Sequence, residues 1–275
     1  MAQLVIIDDA AIYIYALSLL FYFSNCFRRN PGAKRMGAGL LACSMVLMLF
    51  AFGSRLQTEG VAALLSAYDY LQWVSFCLML SSVFITFLPR TELAVLLVSL
   101  AGFVMLVANR LSFSDDQYPL VHGYTLHSML TLHIVLAGVS FAALTLAAVF
   151  ASMYLFLHHR LKTKKWSDTI RRLPSLEDLD SSMPGAVMWG VSLLSVSLLI
   201  AGVVMAKEGS LQSFLDLKVI STFVSLLVYL LYFIIRSYKR ISGVSMAKWV
   251  LLGYAIVIVN FLSNSLSAFH SWNWR

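Results

Sequence analysis

Residues 93–109 read LAVLLVSLAGFVMLVAN, an unbroken run without a charged side chain. Two more such runs flank it at a distance, LLACSMVLMLFAF at 40–52 and VISTFVSLLVYLLYFII at 219–235. About 20 consecutive apolar residues are needed to cross the hydrocarbon of a bilayer. A segment of that kind satisfies its own backbone in lipid only as a helix. A transmembrane strand would alternate apolar with polar residues, and these runs do not. The same criterion picks out eight spans, near 10–27, 36–53, 69–88, 91–109, 130–157, 185–206, 217–235 and 247–267. Composition agrees: 60% of the 275 residues are hydrophobic and 12% are charged, against about 25% charged in a soluble domain. The expected fold is all-α, a polytopic membrane bundle of eight helices forming a single integral membrane domain over residues 1–275.

Charge sets the expected orientation. The beginning, MAQLVIIDDAAIYIYALSLL, lacks a basic leader and carries Asp8 and Asp9 instead, so it reads as a retained first span rather than a signal peptide. Eight spans put both termini on one side. Of the 20 Lys and Arg, 15 fall in the four loops of the other side, notably Arg28, Arg29, Lys34 and Arg35, the run from Arg160 to Arg172, and Arg236 to Lys248. By the positive-inside rule that side is cytoplasmic. Both termini are then expected outside the cell membrane. The net charge of +7 becomes an inner-surface property suited to anionic lipid, and it does not argue for a nucleic-acid partner.

The spans limit the chemistry. Proton- and ion-coupled carriers generally place ionisable groups inside the membrane; here none falls in the middle of a span, Asp69 at the outer end of the third being the nearest. No metalloprotease, serine-hydrolase, Walker or dinucleotide motif occurs on suitable structure, so the chain reads as no enzyme. Cys26, Cys43 and Cys77 have no metal or haem-attachment spacing. In the last span Gly253, Asn260, Asn264 and Ser267 share a face, and in the fifth Gly138, Ala142, Thr145 and Ser152 do. Such stripes mark helix packing, or the asparagines line a cavity. On the inner side Ser175 precedes Asp178 by three residues, a helix-start pattern, and Leu173, Leu176 and Leu179 suggest a short interfacial helix before the sixth span.

Four of the six histidines, His122, His127, His133 and His270, belong near the outer face. Histidine is the commonest protein ligand for metals. Six residues separate His127 from His133, about 120° around a helix, so they do not chelate one ion as an i, i+4 pair would. Two imidazoles on different helices at one depth can instead sandwich a haem iron. His133 opens the fifth span and His270 follows the eighth. Tyr118, Tyr124, Phe269, Trp272 and Trp274 are available to cover a porphyrin, and Lys207, Lys218, Arg110 or Arg275 to pair with propionates. The plainer alternative is that these are ordinary interfacial residues.

Three segments in the second half, about 125–275, carry a family resemblance. LHSMLTLHIVLAGVSFAALTLAAVFASMYL (126–155) is similar to the histidine-led span of the cytochrome c assembly family of haem-handling membrane proteins. FLDLKVISTFVSLLVYLLYFIIR (214–236) resembles the family segment that begins Asp-Pro-Lys, with Leu217 where the family has proline. FLSNSLSAFHSWNW (261–274) resembles its last span. The resemblance implies haem b held without a covalent bond, with His133 and His270 as axial ligands to the iron and Lys218 and Trp272 in the haem environment; His122, His127, Asn260 and Asn264 are further candidates. The stretch MAKEGSLQSFLDLK (205–218) lacks the tryptophan-rich segment of the family's synthetases, so the chain is most similar to the HemX branch. That branch implies haem-linked control of tetrapyrrole synthesis through glutamyl-tRNA reductase. The reductase would dock at the cytoplasmic face through the loop at 158–183, with a second membrane subunit as a further partner. The alternative is haem delivery or export in cytochrome c maturation.

Overall fold

A computed structural model describes residues 2–27, 30–59, 66–112, 127–164, 172–207, 217–239 and 243–262. Among them the structure is all-helical, with eight helices: α1 (Ala2–Phe27), α2 (Pro31–Glu59), α3 (Ala67–Thr86), α4 (Glu92–Ser112), α5 (His127–Lys162), α6 (Leu176–Lys207), α7 (Leu217–Lys239) and α8 (Val244–Leu262). Each contains a stretch long and apolar enough to cross a membrane. The chain is therefore a multi-pass membrane protein. The eight expected spans are all present, and several helices run well beyond them. At about 1.5 Å per residue, the 36 residues of α5 extend far past a bilayer core of roughly 30 Å.

The helix ends follow local chemistry. Asn30 starts α2: its Oδ1 accepts from the amides of Gly32 at 3.0 Å and Ala33 at 3.2 Å, and Pro31 occupies the first helical position, where no amide is missed. Ser66 caps α3 by accepting from Asp69 N at 3.0 Å. Thr91 turns α3 into α4, its hydroxyl within 2.8 Å of Ile85 O and 2.9 Å of Leu88 O, carbonyls in and just after the last turn of α3. Gly243, at φ +80°, makes the tight turn into α8.

The sixth helix departs from the sequence reading. Among the described residues no separate interfacial helix precedes the span; residues 176–207 form one helix with Pro184 inside it. The start pattern does operate, because Ser175 and Asp178 exchange bonds of 3.1 and 3.0 Å. Continuation through Pro184 has a specific cause. Proline lacks the amide that would bond the carbonyl four residues back, here Asp180 O. Arg236 Nη2 of α7 donates to that carbonyl at 3.1 Å. The same guanidinium meets both Asp180 carboxylate oxygens at 3.3 Å, and Gly243 N donates to Asp180 Oδ1 at 3.0 Å. One aspartate thus ties the start of α6 to the end of α7 and the α7–α8 turn.

The described residues fall into two compact units, one carrying α1–α4 and the other α5–α8. In the first, α1 packs on α2 and α4, and α3 on α4 and α2; in the second, α5 packs on α6 and α8, and α7 on α8 and α6. The two units thus share one pattern of neighbours. Between membrane helices there is little hydrophobic drive, and close approach with interhelical hydrogen bonds takes its place. In the first unit Ser18 donates to Gly37 O at 2.7 Å, Ser44 to Ala11 O at 2.8 Å and Ser75 to Gly102 O at 2.8 Å. In the second, Ser140 donates to Gly190 O at 2.8 Å, and Tyr229 lies so close to Gly253 that an added Cβ would sit 2.7 Å from its ring.

Candidate functional site

His133 lies two turns into α5, half-buried against α6. Its Nδ1 is 2.8 Å from the carbonyl oxygen of Ser197 and 2.8 Å from the Ser197 hydroxyl. Ser197 Oγ is also 2.9 Å from the His133 carbonyl. This geometry fixes the tautomer. A carbonyl oxygen only accepts, so a close Nδ1 must carry the proton and donate. The serine hydroxyl then spends its own proton on the His133 carbonyl. The lone pair of the ring resides on Nε2, the atom through which an imidazole binds iron when its other nitrogen is held this way. Ser197 is fully buried. The donor set at His133 fits a haem ligand.

The other expected residues divide into three groups. His127 opens α5 and Lys218 is the second residue of α7, both at the same end of their unit as His133; their side chains lie outside the described residues. His122, Asn264, His270 and Trp272 also lie outside them. Asn260 is described, and it serves packing: its Oδ1 accepts from Ser221 Oγ and its Nδ2 donates to Thr222 Oγ1, each at 2.8 Å, which zips α8 to α7. The small-residue face of α5 has the same role, with Thr145 Oγ1 2.9 Å from Tyr254 Oη of α8. At the opposite end of α5, His158 stacks on Tyr154 with ring centroids 6.3 Å apart.

The sequence reading missed a buried ionic cluster in the first unit. Arg55 of α2 donates to Asp69 of α3 at 3.1 Å and to Asp8 of α1 at 3.3 Å, with every one of these side chains less than 10% exposed. Tyr68 Oη and Gln72 Nε2 each donate to Asp8 at 3.1 Å, and the Arg55 guanidinium lies 4.6 Å from the centre of the Tyr68 ring. Asn109 of α4 donates to Tyr68 O at 3.0 Å, so all four helices meet here. A second pair, Arg110 Nε with Asp9 Oδ1 at 2.8 Å, lies nearer the surface. The available signal was opposite charges at matching ends of neighbouring spans, Asp8 and Asp69 against Arg55.

Comparison with known proteins adds a lineage to this geometry. The family model described as "Cytochrome C assembly protein" matches residues 10–270. The chain is 31% identical over 273 residues to "Protein HemX" of Brevibacillus brevis, covering 99% of this chain and 100% of that protein. It is 32% identical over 267 residues to "Protein HemX" of Bacillus subtilis (strain 168), covering 96% of each. A more distant relative is "Cytochrome c biogenesis protein CcsA" of Guillardia theta, 26% identical over 286 residues, covering 94% of this chain and 92% of that one. The match spans both four-helix units and includes the histidine held by Ser197. The chain belongs to the cytochrome c assembly protein family.

Proposed function

We propose that this protein is a non-enzymatic haem-binding protein of the plasma membrane that regulates tetrapyrrole synthesis through the level of glutamyl-tRNA reductase. Both termini are outside. His133 and His270 are the axial ligands of a non-covalently held haem b, and Lys218 and Trp272 belong to its surroundings. The observation that carries this reading is the Nδ1 grip of Ser197 on His133, with both acceptor atoms at 2.8 Å. A neutral imidazole whose Nδ1 donates carries its lone pair on Nε2, the nitrogen through which it would bind a metal.

The register of α5 and α8 supports the pairing. These helices run antiparallel, with Phe141 against Phe261 at a centroid distance of 5.3 Å and Thr145 bonded to Tyr254. His133 lies eight residues from Phe141 toward the start of α5. In the sequence His270 follows Phe261 by nine residues. Bound haem would supply a spectroscopically visible, redox-active iron. The chain's own residues hold it, cover it from water and set the basicity of its ligands. The near end-to-end similarity to two HemX proteins favours the regulatory reading over haem delivery or export.

The experiment is a haem titration of the detergent-purified protein beside His133→Ala, His270→Ala and the double variant. The expected result is a low-spin bis-imidazole spectrum in the wild type that each single variant abolishes. A low-spin band that survives in the double variant overturns the ligand assignment. Reductase abundance in a deletion strain tests the biology: it should rise, and fall again with the wild-type gene but not with the double variant. Lost c-type cytochromes with unchanged reductase would instead favour delivery.

A further inference from the structure

We propose that Ser197 is the positioning residue of His133, setting its tautomer, its ring orientation and thereby its strength as an iron ligand. The inference rests on the reading of His133 as a haem ligand and extends it to a residue on another helix. The two residues hold each other at two points. His133 donates from Nδ1 toward Ser197, whose carbonyl oxygen and hydroxyl oxygen both lie 2.8 Å away. Ser197 returns its hydroxyl proton to the His133 carbonyl at 2.9 Å.

Packing alone does not require this exchange. A serine that merely joined two helices would be satisfied by one backbone carbonyl, as Ser140 is by Gly190 O at 2.8 Å about two turns away. At Ser197 the hydroxyl instead bridges the backbone and the ring of one residue. The consequence is directional. With Nδ1 donating, electron density rises on Nε2, which strengthens the bond to ferric iron and lowers the reduction potential. Without the hydroxyl, Nδ1 keeps the Ser197 carbonyl as an acceptor and loses the contact that aligns the ring with that carbonyl. Ring rotation and the other tautomer become accessible, and in that tautomer Nε2 carries a proton and is not a ligand. Partners of this kind behind a metal-binding histidine are worth about 10–100-fold in affinity.

The test uses the full-length protein with Ser197→Ala, Ser197→Val and Ser197→Thr. Threonine keeps the hydroxyl, and valine has the same shape without it. Haem affinity, the low-spin band and the midpoint potential are read for each. Affinity should fall about 10–100-fold in the alanine and valine variants, with a raised potential and a growing high-spin fraction, and threonine should recover most of the loss. Wild-type haem binding that depends on His133 but is matched by both the alanine and valine variants overturns the role of Ser197 and leaves the ligand reading standing. Equal losses in the threonine and valine variants, with the alanine variant intact, show only crowding and also overturn it. If His133→Ala leaves haem binding unchanged, the ligand reading is what fails. The role of Ser197 is then decided without haem, by nitrogen NMR of histidine-labelled protein: a single Nδ1-protonated form in the wild type that becomes a mixture in Ser197→Ala supports it, and identical spectra overturn it.

Discussion

Pro184 and Arg236 should be energetically coupled although they are 52 positions apart in sequence. Pro184 deprives Asp180 O of its helical donor, and Arg236 replaces that donor with a bond of 3.1 Å. Removing Arg236 leaves the carbonyl without that partner. It also removes two long contacts of 3.3 Å to the Asp180 carboxylate, which keeps the Gly243 amide. A hydrogen bond involving a charged group contributes about 1.5–3 kcal/mol. The two side chains are 23% and 21% exposed, so solvent screening reduces this to roughly 1–2 kcal/mol, with the ion pair adding about 0.5–1 kcal/mol. Arg236→Ala should therefore destabilise by about 1.5–3 kcal/mol in total. In a Pro184→Ala background the new amide supplies Asp180 O from within the helix. The same Arg236→Ala change should then cost only the ion pair, about 0.5–1 kcal/mol. The double-mutant cycle, measured by denaturant titration in detergent, should give a coupling of about 1–2 kcal/mol. Additivity to within about 0.3–0.5 kcal/mol would refute the claim that Arg236 compensates for the proline. A control at Asp180→Asn should weaken the ion pair and leave the coupling in place, because the coupled atom is the backbone carbonyl.

Breaking the ionic cluster should be the most damaging polar change in the first unit. Arg55→Ala leaves two carboxylates less than 10% exposed without their guanidinium, a loss of about 3–5 kcal/mol; the expected outcome is little monodisperse protein on size exclusion, and a yield near wild type would mean that solvent reaches the cluster. Two glycines on helices should respond with opposite signs. In Gly253→Ala the new Cβ meets Tyr229 ring carbons at 2.7, 2.9 and 3.0 Å, and the tyrosine is fully buried, so crowding should cost about 1–3 kcal/mol. Gly53→Ala finds nothing within 4 Å and should be neutral or gain up to about 1 kcal/mol from helix propensity. Thermal melts in one detergent compare the pair, and equal shifts would remove the packing explanation.

The fold was legible because lipid imposes it. Runs such as 93–109 have one way to satisfy their backbone, and each of the eight became a helix. Boundaries were less legible where a distant residue supplies the missing bond. Pro184 reads as a break, and nothing near it in sequence says that Arg236 supplies the carbonyl donor. The ionic cluster failed for a related reason. In the sequence Asp8 argues against a signal peptide and Asp69 stands at the outer end of a span. Joining them through Arg55 required knowing that α1, α2 and α3 bring the same ends together, which hydropathy does not encode.

The candidate site shows the same division between composition and pairing. A histidine two turns into an apolar helix is visible in one dimension, and so is its separation from His127. Its tautomer is not, because that is set by the carbonyl and hydroxyl oxygens of a serine 64 positions away. Asn260 makes the converse point. On a helical wheel it joins Asn264 in a stripe equally suited to a cavity or a contact. In the structure it is filled from both sides, by Ser221 and Thr222 of α7 at 2.8 Å, which argues for the contact. Side-chain amides have both donor and acceptor, so an asparagine on α8 can be satisfied by two hydroxyls on one neighbouring helix. A neutral imidazole has one of each, and with Nδ1 donating to Ser197 its lone pair is on Nε2, the nitrogen that the proposed haem would take. The two residues therefore differ in what their described contacts do: Asn260 joins α8 to α7 through two hydroxyls, and His133 joins α5 to α6 through Nδ1 and Ser197.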